Sequence, residues 1–219
     1  MQKNTDIVAD IHAFNRFCSD ILDRLDCNGE SPLSSLNGRE CEEIRAAMET
    51  VRRRLTKATT NFVIRPFRES DVDYVISGQL RLYAAEYGFT SEVWKSYVTD
   101  GVHDLIDRFD AEKDCLYILE CDGVPSGSVA ITHTDGNTAQ LRFFFIESTM
   151  RGLGVGRKLI DRVVDFCGEK EYDRIILWTF STLYAARHLY ESKGFRITET
   201  QQNNDWGEPI LEERWDLEL

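Results

Sequence analysis

The chain has 219 residues and a formal net charge of −12, with 42% hydrophobic and 29% charged residues and with twelve Phe, eight Tyr and four Trp. That length suits one well-cored domain plus an appendage and falls short of two full-sized domains. The acidic balance repels phosphate backbones and anionic membranes unless a local patch overrides it, and it favours a neutral or cationic substrate. No run of about 18 apolar residues offers a membrane-spanning helix.

Near the start, Ile7, Ile11, Phe14, Cys18, Ile21 and Leu25 alternate spacings of 4 and 3, the seam of helices that pack lengthwise, and Val8, Phe17 and Leu22 widen it. The stretch "CNGESPLSSLNG" marks a loop, after which Ile44, Met48, Val51 and Leu55 repeat the spacing. A helical hairpin over residues 1–60 is expected. Two such seams are not fully buried against each other, so the pair is read as a dimerisation segment, the alternative being a helical cap on the rest of the chain.

From Asn61 the texture changes and a second domain, 61–219, is expected. "FVIRPF" reads as a strand, followed by helices over about 70–86 and 92–108, with Gly88 breaking between them and Ser91 placed to cap the second. "CLYILECDGVPSGSVAITHT" alternates and turns at Asp122-Gly123 as a β-hairpin does, and "AQLRFFFIE" is a further strand. Helix over about 154–169, the strand "RIILWTF", helix over about 182–192 and two closing strands near 195–200 and 209–218 complete the chain. This order implies an α/β fold with a mixed sheet and helices on both faces. The six cysteines form no CxxC or His-Cys cluster, and nothing ahead of them reads as a signal peptide. Reduced thiols in a cytoplasm are expected.

"RGLGVGRKL", residues 151–159, follows a strand and opens a helix, the setting in which free N–H groups and the helix dipole favour an anion. It lacks the G-K-[ST] of a Walker loop and the spacing of the dinucleotide fingerprint. Arg151-Gly152-Leu153-Gly154-Val155-Gly156 resembles the R/Q-x-x-G-x-G/A motif of the GNAT superfamily of N-acetyltransferases. Downstream, "AARHLYESKGF" is similar to that family's following helix, with Ala186, Tyr190, Gly194 and Phe195 at matching offsets and Leu183 where the family often has Asn. The similarity covers residues 61–219. More narrowly, "LYAAEYGF", "LWTFSTLYAARHLYESKGF" and "EERWDLEL" resemble the acetyltransferase half of MarR-type fusions. The first and second helices are similar to the opening and closing helices of the DNA-binding half. The thirteen residues between Leu25 and Arg39 leave no room for a winged helix-turn-helix. Residues 1–60 hold nine Lys and Arg against ten Asp and Glu, which does not suit a DNA duplex.

The resemblance implies a GNAT fold and direct acetyl transfer from acetyl-CoA to a primary amine of a small molecule, amino acid or peptide, with no metal and no nucleic acid or membrane partner. An acyl-CoA sensor without turnover is the alternative. The resemblance further implies that the pantetheine arm pairs with main-chain groups of Phe145, Ile146 and Glu147, that the Ile146 N–H faces the thioester oxygen, and that N–H groups of the loop from Gly152 through Leu153, Gly154, Val155 and Gly156 to Arg157 hold the pyrophosphate. The side chains of Arg151 and Arg157 would add charge there. Tyr190 stands as general acid. Glu147 and Glu86 are candidate bases, each equally readable as a solvated carboxylate or an anchor for the acceptor's ammonium. Tyr83, Tyr87, Phe89, Trp178 and Trp206 are candidate walls of the acceptor pocket. Cys167, mid-helix in "LIDRVVDFCG", looks poorly placed for a nucleophile.

Overall fold

The structure is a computed structural model, and it describes residues 13–14, 17–18, 20–21, 37–59, 61–206 and 209–219. It divides into two compact units, Met1–Asn61 and Phe62–Leu219. Within the first, helix α1 spans Gly38–Thr59. Its start is fixed reciprocally: Asn37 Oδ1 accepts the Glu40 N–H at 3.0 Å, and Glu40 Oε2 accepts the Asn37 N–H at 2.9 Å. Of the four residues of the apolar spacing, Ile44, Met48 and Leu55 are half-buried, whereas Val51 is exposed. Much of the expected first helix, including Ile7, Val8, Ile11, Leu22 and Leu25, and the loop after it lie outside the described residues.

The second unit runs β1 (Phe62–Pro66), α2 (Val72–Tyr87), α3 (Glu92–Asp107), β2 (Cys115–Cys121), β3 (Val124–His133), β4 (Thr138–Ile146), α4 (Val155–Glu169), β5 (Arg174–Phe180), α5 (Tyr184–Ser192), β6 (Arg196–Asn203) and β7 (Ile210–Glu218). Local chemistry sets the boundaries. Gly88 ends α2 in the left-handed region at φ 73°, and Ser91 Oγ accepts the Trp94 N–H to begin α3. Asp122 and Gly123 both take positive φ in the β2–β3 turn.

Seven strands form one sheet in the order β1-β2-β3-β4-β5-β7-β6. All neighbours are antiparallel except β4 and β5, which run parallel and pair only at Thr138–Gln140 against Arg174–Ile176. Beyond Gln140 the two strands part, and a gap opens in the middle of the sheet. One core, with β4 residues Ala139 and Leu141, packs under α4 and α5; a second, with Phe143 and Phe145, packs under α2 and α3.

That change of core along β4 has a local cause. The β3–β4 register shifts between Ser128 and Ala130, and Phe143 sits at φ +51°, costly for a bulky residue. One extra residue enters β4, so Arg142 and Phe143 lie toward the same face, with the Arg142 guanidinium 4.6 Å from the Phe143 ring centre. Ser128 Oγ donates to the Phe143 carbonyl at 2.6 Å and holds the bulge. Burial still alternates along β4, with Ala139 and Leu141 buried in the first core and Phe143 and Phe145 in the second.

Candidate active site

The glycine loop meets the start of α4 next to the gap. Gly152 and Gly154 take φ of 74° and 83°, and Gly154 caps α4 with no side-chain hydrogen bond. The first turn of α4 holds no acidic residue and carries Arg157 and Lys158 instead. Helices ordinarily favour the opposite sign there, so the free N–H groups and Arg157 suit an anion from outside the helix, while the Lys158 ammonium lies over the Phe62 ring at 4.4 Å. Gly156 lies so close to β4 that a Cβ would stand 2.9 Å from Ile146 Cδ1 and 3.4 Å from Leu189 Cδ2. The side chains of Leu153 and Val155 are buried in the core, so each offers the loop main-chain groups only. Arg157 is exposed.

Beside the loop runs the free edge of β4. The Glu147 N–H donates to the Ser126 carbonyl at 3.0 Å, and Ile146 stands opposite Gly127. Alternation in an antiparallel ladder then turns the Ile146 N–H away from β3 and toward the gap. The Phe145 side chain is buried under α2 and α3. Arg151 does not extend along the loop: its Nε donates to the Ile146 carbonyl at 3.1 Å, and its two terminal nitrogens hold Glu86 at 2.8 and 2.9 Å. Glu147 is likewise occupied, paired with Arg81 at 2.5 Å and accepting from the Tyr74 hydroxyl at 3.3 Å. Both carboxylates read as candidate bases therefore neutralise an arginine, and neither lines the cleft described next.

A cleft opens where β4 and β5 separate. It is lined by α2 and α3 (Gln79, Tyr83, Trp94, Tyr97), by β4 (Gln140 through Phe144), by β5 (Trp178, Thr179, Phe180), by Tyr190 of α5, by Trp206 and by Glu212 of β7. Three of the five aromatic residues expected as walls, Tyr83, Trp178 and Trp206, are there. Tyr87 and Phe89 are outside it. Phe89 fills an aromatic cluster with Trp94 and Phe180 at ring separations of 5.2 and 5.0 Å, and Tyr87 is partly exposed beside Tyr83. Tyr190 is buried among Phe144, Phe195 and Trp215 and reaches the cleft. Burial pushes its phenol's pKa well above the usual tyrosine value, with nearby Tyr83 adding to the shift, so the proton stays on at neutral pH.

Four polar cleft residues were not singled out by the sequence. Glu212 is buried, and its oxygens accept from Trp206 Nε1 at 2.7 Å and Gln201 Nε2 at 2.8 Å. Arg142 lies over the Tyr97 and Phe143 rings. Gln79 Oε1 and Trp94 Nε1 are buried with no hydrogen-bond partner among the described residues. Cys167 is buried in the core under α4, and burial pushes its thiol up to about 12, which leaves no thiolate for covalent chemistry at neutral pH.

The model of the acetyltransferase (GNAT) family matches residues 80–195. An N-acetylaspartate synthetase of Danio rerio is 33% identical over 129 residues, which are 55% of this chain and 45% of that protein. The chain thus spans about half the length of the curated relatives it matches. Among solved structures, an acetyltransferase of Salmonella typhimurium with its cofactor acetyl-CoA superposes with a TM-score of 0.60 at 16% identity, over 72% of this chain and 94% of that one. The ribosomal-protein-alanine N-acetyltransferase of Brucella melitensis gives 0.58 at 18% identity, over 72% and 99%. At that identity the structural likeness speaks to the mixed α/β fold alone.

Proposed function

The chain belongs to the acetyltransferase (GNAT) family, and from that premise we propose that it moves the acetyl group of acetyl-CoA directly onto a primary amine of a small molecule, an amino acid or a peptide. The observation that carries this reading is the meeting of three features at one opening of the sheet: the uncapped, basic start of α4, the unpaired edge of β4 at Ile146, and the buried Tyr190 phenol. The pyrophosphate takes the N–H groups between Gly152 and Arg157. The pantetheine amides pair along Phe145 to Glu147, and the Ile146 N–H donates to the thioester oxygen as charge develops on it. The amine nitrogen bonds to the acetyl carbon, the C–S bond breaks, the departing sulfur takes its proton from Tyr190, and the proton shed by the newly acylated nitrogen restores the phenol through water. Before that the acceptor's ammonium gives up a proton to ordered water. With Glu86 on Arg151 and Glu147 on Arg81, both acids serve to position arginines beside the β4 edge.

The relatives named N-acetylaspartate synthetase favour an amino acid among the acceptor classes. Pairing of subunits through residues 1–60, a cytoplasmic location, and descent from a MarR-type fusion that lost its winged helix belong to the same proposal. The first and third rest on the apolar spacing around Ile44, Met48 and Leu55 and on the net charge of −1 over residues 1–60. Among the described residues no helix is long and apolar enough to cross a membrane.

The test is thiol release from acetyl-CoA against a panel of amines, amino acids and short peptides, with mass spectrometry of the product. An acceptor that gains one acetyl group is the expected result. Binding of acetyl-CoA in calorimetry with no thiol release on any acceptor would favour a sensor of acyl-CoA instead.

A further inference from the structure

Burying a charge is costly unless a partner of opposite sign accompanies it, and buried polar groups are normally hydrogen-bonded. Three buried residues of the cleft each depart from one of these rules, and half-buried Arg142 stands beside them with no anion of its own. Glu212, only 7% exposed, is held by two neutral donors, and among the described residues no cation lies within ion-pair distance of it. Arg142 rests on the faces of two aromatic rings, and among the described residues no carboxylate pairs with it. Trp94, 2% exposed, carries an indole N–H with no acceptor, and Gln79, 7% exposed, carries an amide oxygen with no donor. All four residues line one cleft, which Tyr190 also reaches.

We infer that the acceptor is an amine that also carries a carboxylate, an amino acid, whose carboxylate is taken by Arg142 and whose ammonium is taken by Glu212. This rests on the acetyltransferase reading given above and narrows it. An ammonium supplies the cation that Glu212 lacks, and each of its oxygens keeps acceptor capacity beyond the bond to Trp206 or Gln201. A carboxylate supplies the anion that Arg142 lacks. The guanidinium presents a fork of donors matched to two oxygens, and the Tyr97 and Phe143 rings hold that fork in place. The Trp94 indole N–H is a further donor. The Gln79 amide, whose two ends can exchange by rotation about its last bond, serves either charge. A simple alkylamine would satisfy Glu212 and leave Arg142 unpaired; a peptide N-terminus would place a neutral carbonyl where the guanidinium requires an anion. The protein as a whole, at −12, repels an anionic group, and Arg142 is the local exception that admits one.

The experiment is calorimetric titration of the CoA-saturated chain with glycine, leucine, phenylalanine and aspartate. It is run beside methylamine, 3-methylbutylamine and phenethylamine, which are the first three without their carboxylate. At least one amino acid is expected to bind, and its decarboxylated counterpart about tenfold to a hundredfold more weakly, the range for loss of hydrogen bonds to a charged group. Arg142→Gln should weaken amino-acid binding by a similar factor and leave CoA binding unchanged. Arg142→Lys, which keeps the charge and loses the fork, should fall between. An amine that binds as tightly as its amino acid, no binding by any of the four amino acids, or an affinity indifferent to Arg142→Lys would each overturn the assignment. The ligand pairs and the lysine variant decide the matter even where Arg142→Gln perturbs the bulge. Thiol release measured on the same set separates the two readings. Amino acids that bind without releasing thiol remove the acetyltransferase reading and leave this site standing, and carboxylate-free amines acetylated as well as their amino acids do the reverse.

Discussion

The indole Nε1 of Trp206 donates to Glu212 Oε1 at 2.7 Å, so a loop tryptophan orients a buried strand carboxylate at the wall of the cleft. Trp206 is itself held by ring contacts to Trp94 and Tyr97 at 5.4 and 5.0 Å. Trp206→Phe keeps an aromatic ring in that stack and removes the donor. The expected outcome is an acceptor KM raised about threefold to tenfold, because Glu212 keeps its charge and loses one of the two bonds that orient it, with the KM for acetyl-CoA unchanged. Initial-rate kinetics with each substrate varied in turn checks it. A rise in the KM for acetyl-CoA alone would place Trp206 on the wrong side of the site.

Tyr190→Phe removes one oxygen and preserves the packing of the ring against Phe144, Phe195 and Trp215. If the phenol protonates the departing sulfur, kcat should fall by about a hundredfold or more while the Kd for acetyl-CoA stays within a factor of two. The same burial has a pH consequence. Tyr83 and Tyr190 have pKa values raised chiefly by desolvation, so the unfolded chain releases their protons near pH 10 while the folded chain retains them. Their contribution to stability is complete below that value and is lost as pH rises above it. Urea midpoints should therefore decline above about pH 10, and Tyr190→Phe should lessen the decline.

Two glycines of the same loop separate binding from stability. At Gly156 a Cβ would stand 2.9 Å from Ile146 Cδ1, between the start of α4 and the free edge of β4. At Gly154 a Cβ meets nothing within 4 Å, but φ is +83°. Gly156→Ala should push the first turn of α4 off β4 and weaken acetyl-CoA binding about tenfold or more. Gly154→Ala should cost about 1–2 kcal/mol of stability through its left-handed backbone. Calorimetry with acetyl-CoA and urea unfolding on both variants distinguish the two effects.

Much of this arrangement is legible from local residues, because local residues decide it. Gly88, Ser91, the Asp122-Gly123 pair and Gly154 each sit where a chain must turn or a helix must begin, and the elements between them follow the expected order. Tyr83 lies in "LYAAEYGF", Trp178 and Tyr190 lie in "LWTFSTLYAARHLYESKGF", Trp206 is among the expected pocket walls, and all four line the cleft. Arg142 and Glu212 carried no such signal. In "QLRFF" and "LEERW" each reads as the polar partner in an alternating strand. Strict alternation would also put Leu141 and Phe143 on one face, whereas the bulge at Phe143 moves Phe143 to the other core and sets the Arg142 guanidinium over its ring. Glu212 becomes part of the cleft only through its register opposite Phe180 on β5 and Gln201 on β6. The pairing of Arg151 with Glu86, 65 positions apart, is of the same kind and turned an expected phosphate ligand and an expected base into partners.

Arg65 ties β1 to the sheet near α2. Arg65 forks onto Asp71 at 2.7 and 3.0 Å and onto Glu120 of β2 at 2.6 Å, with the Arg65 and Asp71 side chains largely withdrawn from solvent. The Arg65 guanidinium, helped by the Arg68 N–H and opposed by burial, holds the Asp71 carboxyl below the usual carboxylate range. Its contribution to stability is present above the unfolded value near pH 4 and is lost as pH falls through the lower folded value. Arg65→Ala leaves two acids without their cation and should cost about 3–5 kcal/mol at neutral pH, the range for breaking a buried pair. It should also reverse the local sign, since protonating the stranded Asp71 then relieves repulsion from Glu120. Urea midpoints followed from pH 7 to pH 3 test both statements: a steep fall for the parent chain, and for Arg65→Ala a lower starting point with a shallower descent. Equal slopes in the two proteins would mean that Asp71 titrates independently of Arg65.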